Sequence, residues 1–314
     1  MREIHEKGVL LNIGKANTRE IDLSIVVVFH EMQREANRTL FSLSRKFQED
    51  VEGFQYEVIA IDNGSRTPLG RKFVENFGDE FFYEYFDTES VSPAAAVNHG
   101  VKRAKGNFVA IIVDGARMAS PGLVSKSLKS VKWLSKPAVF SLSWHLGHEV
   151  QNVSLLSGYD QKVEDSLLDS IDWAQNGRKL FDISVLAQSS GRGFLGGVPA
   201  EFSWICVRKS VFLGLNGFEE SFTSKGGGMV NHDFRNRLMA VPGIEPLMIL
   251  GEGVFHQYHG GVATNVPMER HPLQDFRAEY ERIRGESFEP AKTPEVLYFG
   301  AMPSNALKFV TRRA

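Results

Sequence analysis

The chain has 314 residues, with 36 Lys and Arg against 38 Asp and Glu, for a formal charge of −2 at pH 7. Apolar residues make up 42% and charged residues 24%, ordinary globular values, and the length allows one large domain or two small ones. This balance argues against binding to nucleic acid or an anionic membrane through bulk charge, and the single cysteine, Cys206, excludes an internal disulfide framework or a four-cysteine zinc site.

A lone cysteine fits a reducing compartment. The longest apolar runs, Ile25–Phe29 and Phe108–Val113, fall far short of the roughly 18 residues of a membrane span. The N-terminus has no signal-peptide pattern. A cytoplasmic location follows as the expectation, with peripheral attachment to a membrane left open.

Ile21–Phe29 is a continuous β-branched run, as in a strand covered on both faces. Leu40, Leu43 and Phe47 recur at helical spacing over residues 35–48. Tyr56–Ile61 is a second buried strand, closed by the Asp62-Asn63-Gly64-Ser65 turn cluster. A proline-led helix over 68–77, a strand over 81–86, a helix over 93–105 and a strand over 108–113 follow, then a helix over 121–134. This alternation predicts an α/β fold, a mostly parallel sheet with helices on both faces. Ligands then sit beyond the carboxyl ends of the strands, where His30-Glu31, Asp62-Asn63 and Asp114-Gly115 fall.

The second half is less regular. Strands are expected over 138–144, 201–208 and 246–250, and helices over 160–175, near 230–240 and over 273–284. The glycine-rich stretch 189–199, with Arg192, reads as a lid loop or as a plain surface loop. The half reads as an extension of the same sheet.

The segments SIVVVFHEMQREANRTLFSL, YEVIAIDNGS, NHGVKRAKGNFVAIIVDGA, WICVRKSVFLGLNGFEESF, VNHDFRNRL and FHQYHGG occur in this order. Together they resemble the inverting family-2 glycosyltransferases of the GT-A fold, over about residues 21–262. The resemblance implies an N-terminal arm (1–20), a GT-A domain (21–262) and a C-terminal helical extension (263–314). Residues 21–118 would form the nucleotide-binding half and 119–262 the acceptor half. It also implies a nucleotide-sugar donor, a hydroxyl acceptor of unknown type, no nucleic acid, and a homodimer as one option for the extension.

The resemblance assigns roles residue by residue. Asp62, with Phe29, His30 and Glu31, would hold the nucleoside, although a turn aspartate also bonds its own backbone. Asn98 and Gly100 are each either a ligand contact or helix packing, in which Gly100 would permit a close helix–sheet approach. Asp114-Gly115-Ala116 stands where the family has D-x-D, so the second acid is missing and divalent cation binding (Mn²⁺ or Mg²⁺) is in doubt. Asp114 with His256 would be what remains of a metal site, and Arg117 an alternative partner for the diphosphate. Asp233 is the candidate general base and His232 the second. The Asp233–Arg237 spacing is equally that of a helix ion pair, and Asp233 matches either of two acids in the family cluster. Trp204 is read as a sugar platform or core, and Glu219 and Glu220 as braces. The three carboxylates Asp62, Asp114 and Asp233 are expected to converge on one cleft.

Overall fold

A computed structural model describes residues 20–187, 194–302 and 304. The expected N-terminal arm and Arg192 lie outside the described residues.

Strands β1 (Leu23–Phe29), β2 (Tyr56–Asn63), β3 (Phe81–Phe86) and β4 (Phe108–Ile112) alternate with helices α1 (Gln33–Leu43), α2 (Arg71–Glu75) and α3 (Ala94–Arg103). Then come β5 (Arg117–Ala119), α4 (Leu123–Trp133), β6 (Pro137–Leu146), α5 (Gln151–Ser154), α6 (Gln161–Ser170) and β7 (Ser184–Leu186). The chain continues through β8 (Ile205–Arg208), α7 (Lys209–Gly214), α8 (Val230–Met239), β9 (Glu245–His256), α9 (Leu273–Arg284) and β10 (Leu297–Gly300).

One sheet runs in the order β10-β9-β6-β8-β4-β1-β2-β3, with β5 paired to β9 and β7 to β6. The neighbours of β1 are parallel, as are β2–β3, β6–β9 and β9–β10. Strand β8 enters antiparallel between β4 and β6. An antiparallel strand between two others leaves those two running the same way, so β1, β2, β4, β6 and β9 all end on one side. Every residue of β1, β2 and β6 is buried. In β1, Val26 and Val28 join one core while Ile25, Val27 and Phe29 join the core on the opposite face. That two-residue period is why a continuous apolar run suits a sheet covered twice.

Several boundaries differ from the sequence expectation. Helix α1 stops at Leu43, and α6 stops at Ser170 shortly before Asp172 takes a positive φ of 47°. Strand β9 runs to His256 across a register shift at Ser141/Leu142 of β6. The stretch after 263 is not only helical, since β10 adds a parallel edge strand to β9. No helix among the described residues is long and apolar enough to cross a membrane.

Candidate active site

The strand ends open onto a cleft of about 1340 Å³. One wall holds His30, Glu31, Asn63 and Arg66; the floor holds Asp114, Arg117, Ser143 and His145; the far wall comes from α8 and the segment after 260.

The floor is assembled by β5. It pairs antiparallel with the end of β9, setting Arg117 opposite His256, and Gln257 N–H donates to Ala116 O at 2.9 Å. This register brings Asp114 against the end of β9. Asp114 Oδ2 lies 3.1 Å from His256 Nε2, 3.7 Å from His259 Nε2 and 3.5 Å from Arg117 Nε. The two imidazole Nε2 atoms are 3.2 Å apart. Ala116, at the position of the second D-x-D acid, is wholly buried in the core. Two histidines from the end of β9 and the loop after it stand beside Asp114 instead.

Hydrogen-bond direction defines the state of this cluster. Gln151 Nε2 donates to His256 O at 2.9 Å, so its Oε1 must face His256 Nδ1, 2.6 Å away. Asn265 Nδ2 donates to the same oxygen at 2.9 Å. An amide oxygen only accepts, so Nδ1 of His256 carries its hydrogen and Nε2 is a bare lone pair. Burial first, then the Arg117 charge, brings His256 down to about 3 against the pull of Asp114, so the ring is neutral. Burial raises the Asp114 carboxyl, but His259 first and then Arg117 beside it hold it well below the usual range. A carboxylate oxygen and an imidazole lone pair therefore face each other at hydrogen-bond distance. That arrangement fits a cation, and Asp114, His256 and His259 form a group able to hold one.

His145 is a different case. The Gln151 backbone N–H donates to its Nδ1 at 2.9 Å, and burial holds the ring neutral by lowering its pKa well below the ordinary value. Its hydrogen is therefore on Nε2, which makes His145 a donor on the cleft floor. Arg117 is no exposed turn residue: it is buried, and its Nη1 donates to Ser143 Oγ at 2.7 Å.

On the wall beside β1 and β2, His30 Nδ1 donates to Asn63 O at 2.8 Å. Glu31 takes a positive φ of 53° and accepts from Arg66 N–H at 2.7 Å, which ties the first loop to the second. That backbone hydrogen bond from Arg66 is the main cause of a lowered Glu31 pKa. Asp62 is wholly buried and does not line the cleft. Its carboxylate accepts from Ser65 N–H at 3.3 Å, Leu69 N–H at 2.8 Å and Tyr83 O–H at 3.4 Å, shaping the turn that presents Asn63. Phe29 is buried too, and a Cβ on Gly115 would collide with its ring. Asn98 is spent on Phe218, donating to its carbonyl at 2.9 Å and accepting its N–H at 2.8 Å. Phe29, Gly115 and Asn98 therefore support the site from behind and are not among its lining residues.

At the α8 end of the cleft the expected convergence of three carboxylates does not occur. Of them only Asp114 lines the cleft. Asp233 is 1% exposed and is held by two guanidiniums: Arg284 Nε at 2.6 Å and Arg237 Nε at 2.8 Å. Both of its oxygens are engaged, as in a structural ion cluster. His232, the residue before it, does line the cleft, as do Asn231 and Glu201. Burial lowers its pKa, with Glu201 opposing and Arg235 assisting. Trp204 is core, donating to Ser127 Oγ at 3.1 Å, and Glu220 accepts from Asn98 Nδ2 at 2.8 Å. Phe276 and Phe288 of the C-terminal extension line this end of the cleft.

Sequence reasoning passed over His145, Ser143 and Gln151, and gave His259 no role. Only the i, i+3 spacing of His256 and His259 carried a local signal. Nothing local marks the end of β6 as part of the site, because its position there depends on pairing with β9.

The sequence model of glycosyl transferase family 2 matches residues 24–122. Among solved structures, S. aureus TarS residues 1–349 is similar at 12% identity and a TM-score of 0.50, covering 76% of this chain and 60% of that one. The same protein with UDP-GlcNAc gives 12% identity and a TM-score of 0.53, covering 86% of this chain and 68% of that one. Its complex with UDP gives 12% identity and a TM-score of 0.51, covering 76% and 61%. The chain thus spans about three fifths of the length of two of these structures. No curated protein matches it in sequence. The chain has the GT-A fold, and residues 24–122 carry the sequence pattern of glycosyl transferase family 2.

Proposed function

We propose that this chain transfers a sugar from a nucleotide-diphosphate donor to a hydroxyl acceptor, with inversion, in the cleft above Asp114. The observation that carries this reading is the Asp114–His256–His259 cluster at the strand ends, of which Asp114 lies in the segment that matches family 2. His30, Asn63 and Arg66 suit the nucleoside, and Arg117 suits the diphosphate. Asp114, His256 and His259 would hold a divalent cation, and imidazole ligands favour Mn²⁺ over Mg²⁺. Such a cation supplies charge stabilisation to a departing diphosphate. Arg117, fixed against Ser143, offers a permanent positive charge beside it.

Inversion in one displacement needs one base on the acceptor side. Asp233 is occupied by Arg237 and Arg284, whereas His232 lines the cleft, so His232 is the base in this reading. UDP-GlcNAc, bound by the similar TarS structure, is a reasonable first donor. A thermal-shift panel of UDP- and GDP-sugars with and without Mn²⁺ tests binding, since a ligand of the native state raises the melting temperature. Release of nucleoside diphosphate then tests transfer. Failure of every donor to bind would overturn the reading.

The second reading is a nucleotide-sugar-binding protein with little or no catalysis. Asn231 and Val230, in place of family acids, and the occupied Asp233 favour it. Donor binding without release of nucleoside diphosphate across acceptors would select it.

A further inference from the structure

Asn231 stands one residue before His232, at the start of α8, where a carboxamide replaces an acid of the family cluster. Its side chain is buried. Asn231 Nδ2 donates to Phe202 O at 3.0 Å, and a carbonyl can only accept. The amide is thereby oriented with Oδ1 towards His232. That oxygen lies 3.0 Å from the His232 backbone N–H and 3.1 Å from its Nδ1. The ring also meets Phe288 edge-on, with centroids 5.3 Å apart.

We propose that Asn231 is a positioning residue that sets the tautomer of the base: it holds the His232 hydrogen on Nδ1 and leaves Nε2 as the lone pair offered to the acceptor. This deepens the transferase reading given above and rests on it. In the transfer, His232 Nε2 takes the acceptor hydroxyl proton as the acceptor oxygen bonds to the anomeric carbon. The bond from that carbon to the donor phosphate breaks, and its electron pair leaves on the nucleoside diphosphate. The imidazolium then returns its proton to water. An acid at position 231 would hold the imidazolium by charge, whereas the carboxamide orients the neutral ring without stabilising its protonated form. The charged groups acting on the ring are Glu201, from the loop before β8, and Arg235, one turn further along α8.

The direct test is the nitrogen NMR spectrum of His232 in the full chain, assigned by comparison with His232→Gln. A hydrogen on Nδ1 is expected, and a hydrogen on Nε2 would overturn the proposal. Kinetics supply the second arm, using turnover of UDP-GlcNAc, or of whichever donor binds in the panel, with water and glycerol as acceptors. His232→Gln should lower kcat by about 100-fold or more with donor KM unchanged. Asn231→Ala should lower kcat with donor KM unchanged and give a mixed tautomer spectrum. Asn231→Asp should move the acid limb of the kcat/KM profile upward by about 1 pH unit or more, because a carboxylate stabilises the imidazolium. A wild-type kcat and acid limb in Asn231→Ala would overturn the positioning role. Absence of turnover in the wild type overturns the transferase reading itself, a result separate from the spectrum of the protein alone.

Discussion

Gln151 Oε1 lies 2.6 Å from His256 Nδ1, across 105 residues of sequence, and this contact decides which nitrogen of His256 faces Asp114. The same glutamine uses its backbone N–H to orient His145 the opposite way. One residue of a short helix thus makes one histidine an electron-pair donor and its neighbour a proton donor.

Gln151→Leu removes the acceptor from His256 Nδ1 while keeping approximate volume. Partners of metal-binding histidines typically matter by about 10–100-fold in metal affinity. Mn²⁺ titration calorimetry should show a loss in that range for Gln151→Leu, and a greater loss for His256→Ala or His259→Ala. Unchanged Mn²⁺ affinity in all three would remove the cation site from the cluster.

Asp233→Ala should act on stability. It leaves Arg237 and Arg284 without their shared carboxylate, and breaking a buried pair from one side costs about 3–5 kcal/mol. The two arginines are themselves about one quarter exposed, which places the effect at or below the low end. Urea unfolding measures it. A variant of full stability that has lost turnover would restore Asp233 as the base.

Glu164 gives a pH dependence of stability. Burial pushes its carboxyl up to about 7 from an ordinary 4.5, although the Tyr258 N–H, Arg34 and Arg38 pull it down. A folded-state pKa above the unfolded one means the native state holds the proton longer. The contribution is complete below pH 4.5 and is lost as pH rises through about 7. Each pH unit in that window removes at most about 1.4 kcal/mol. Urea melts from pH 4.5 to 8 should show wild type falling relative to Glu164→Gln, and parallel curves would refute the assignment.

Gly115→Ala drives a methyl group into the Phe29 ring. Overpacking of this kind costs about 1–3 kcal/mol. Because Gly115 follows Asp114, the same change should weaken Mn²⁺ binding, and the double variant Gly115→Ala with Phe29→Leu should recover part of both losses. A stable Gly115→Ala protein with unaltered Mn²⁺ affinity would show that the loop yields without disturbing Asp114.

Much of the fold was legible because its signals are local. The β-branched run at 23–29 and the turn cluster at 62–65 each carry their own instruction. Gly100 was left open between a ligand contact and helix packing, and a Cβ there would meet Val26 and Ile61. The site was only partly legible. The resemblance put Asp114 with His256, and the two lie 3.1 Å apart with His259 as a third neighbour. Asp62 and Asp233 were given to ligands because a carboxylate in sequence does not show what already satisfies it. The partners of Asp62 are turn amides and Tyr83, and one partner of Asp233 is 51 residues away.

The sequence by itself determined the order of strands and helices, the sheet with two covered faces, and a polar cluster at the strand ends. Those follow from short-range periodicity and turn chemistry. Only the tertiary structure decided which acids remain free to bind anything, which histidine nitrogens carry hydrogen, and that the end of β9 pairs with β5, just after β4. These depend on contacts such as Asp233–Arg284, 51 positions apart, and Gln151–His256, 105 apart, whose geometry is set by packing and sheet register and not by any local pattern.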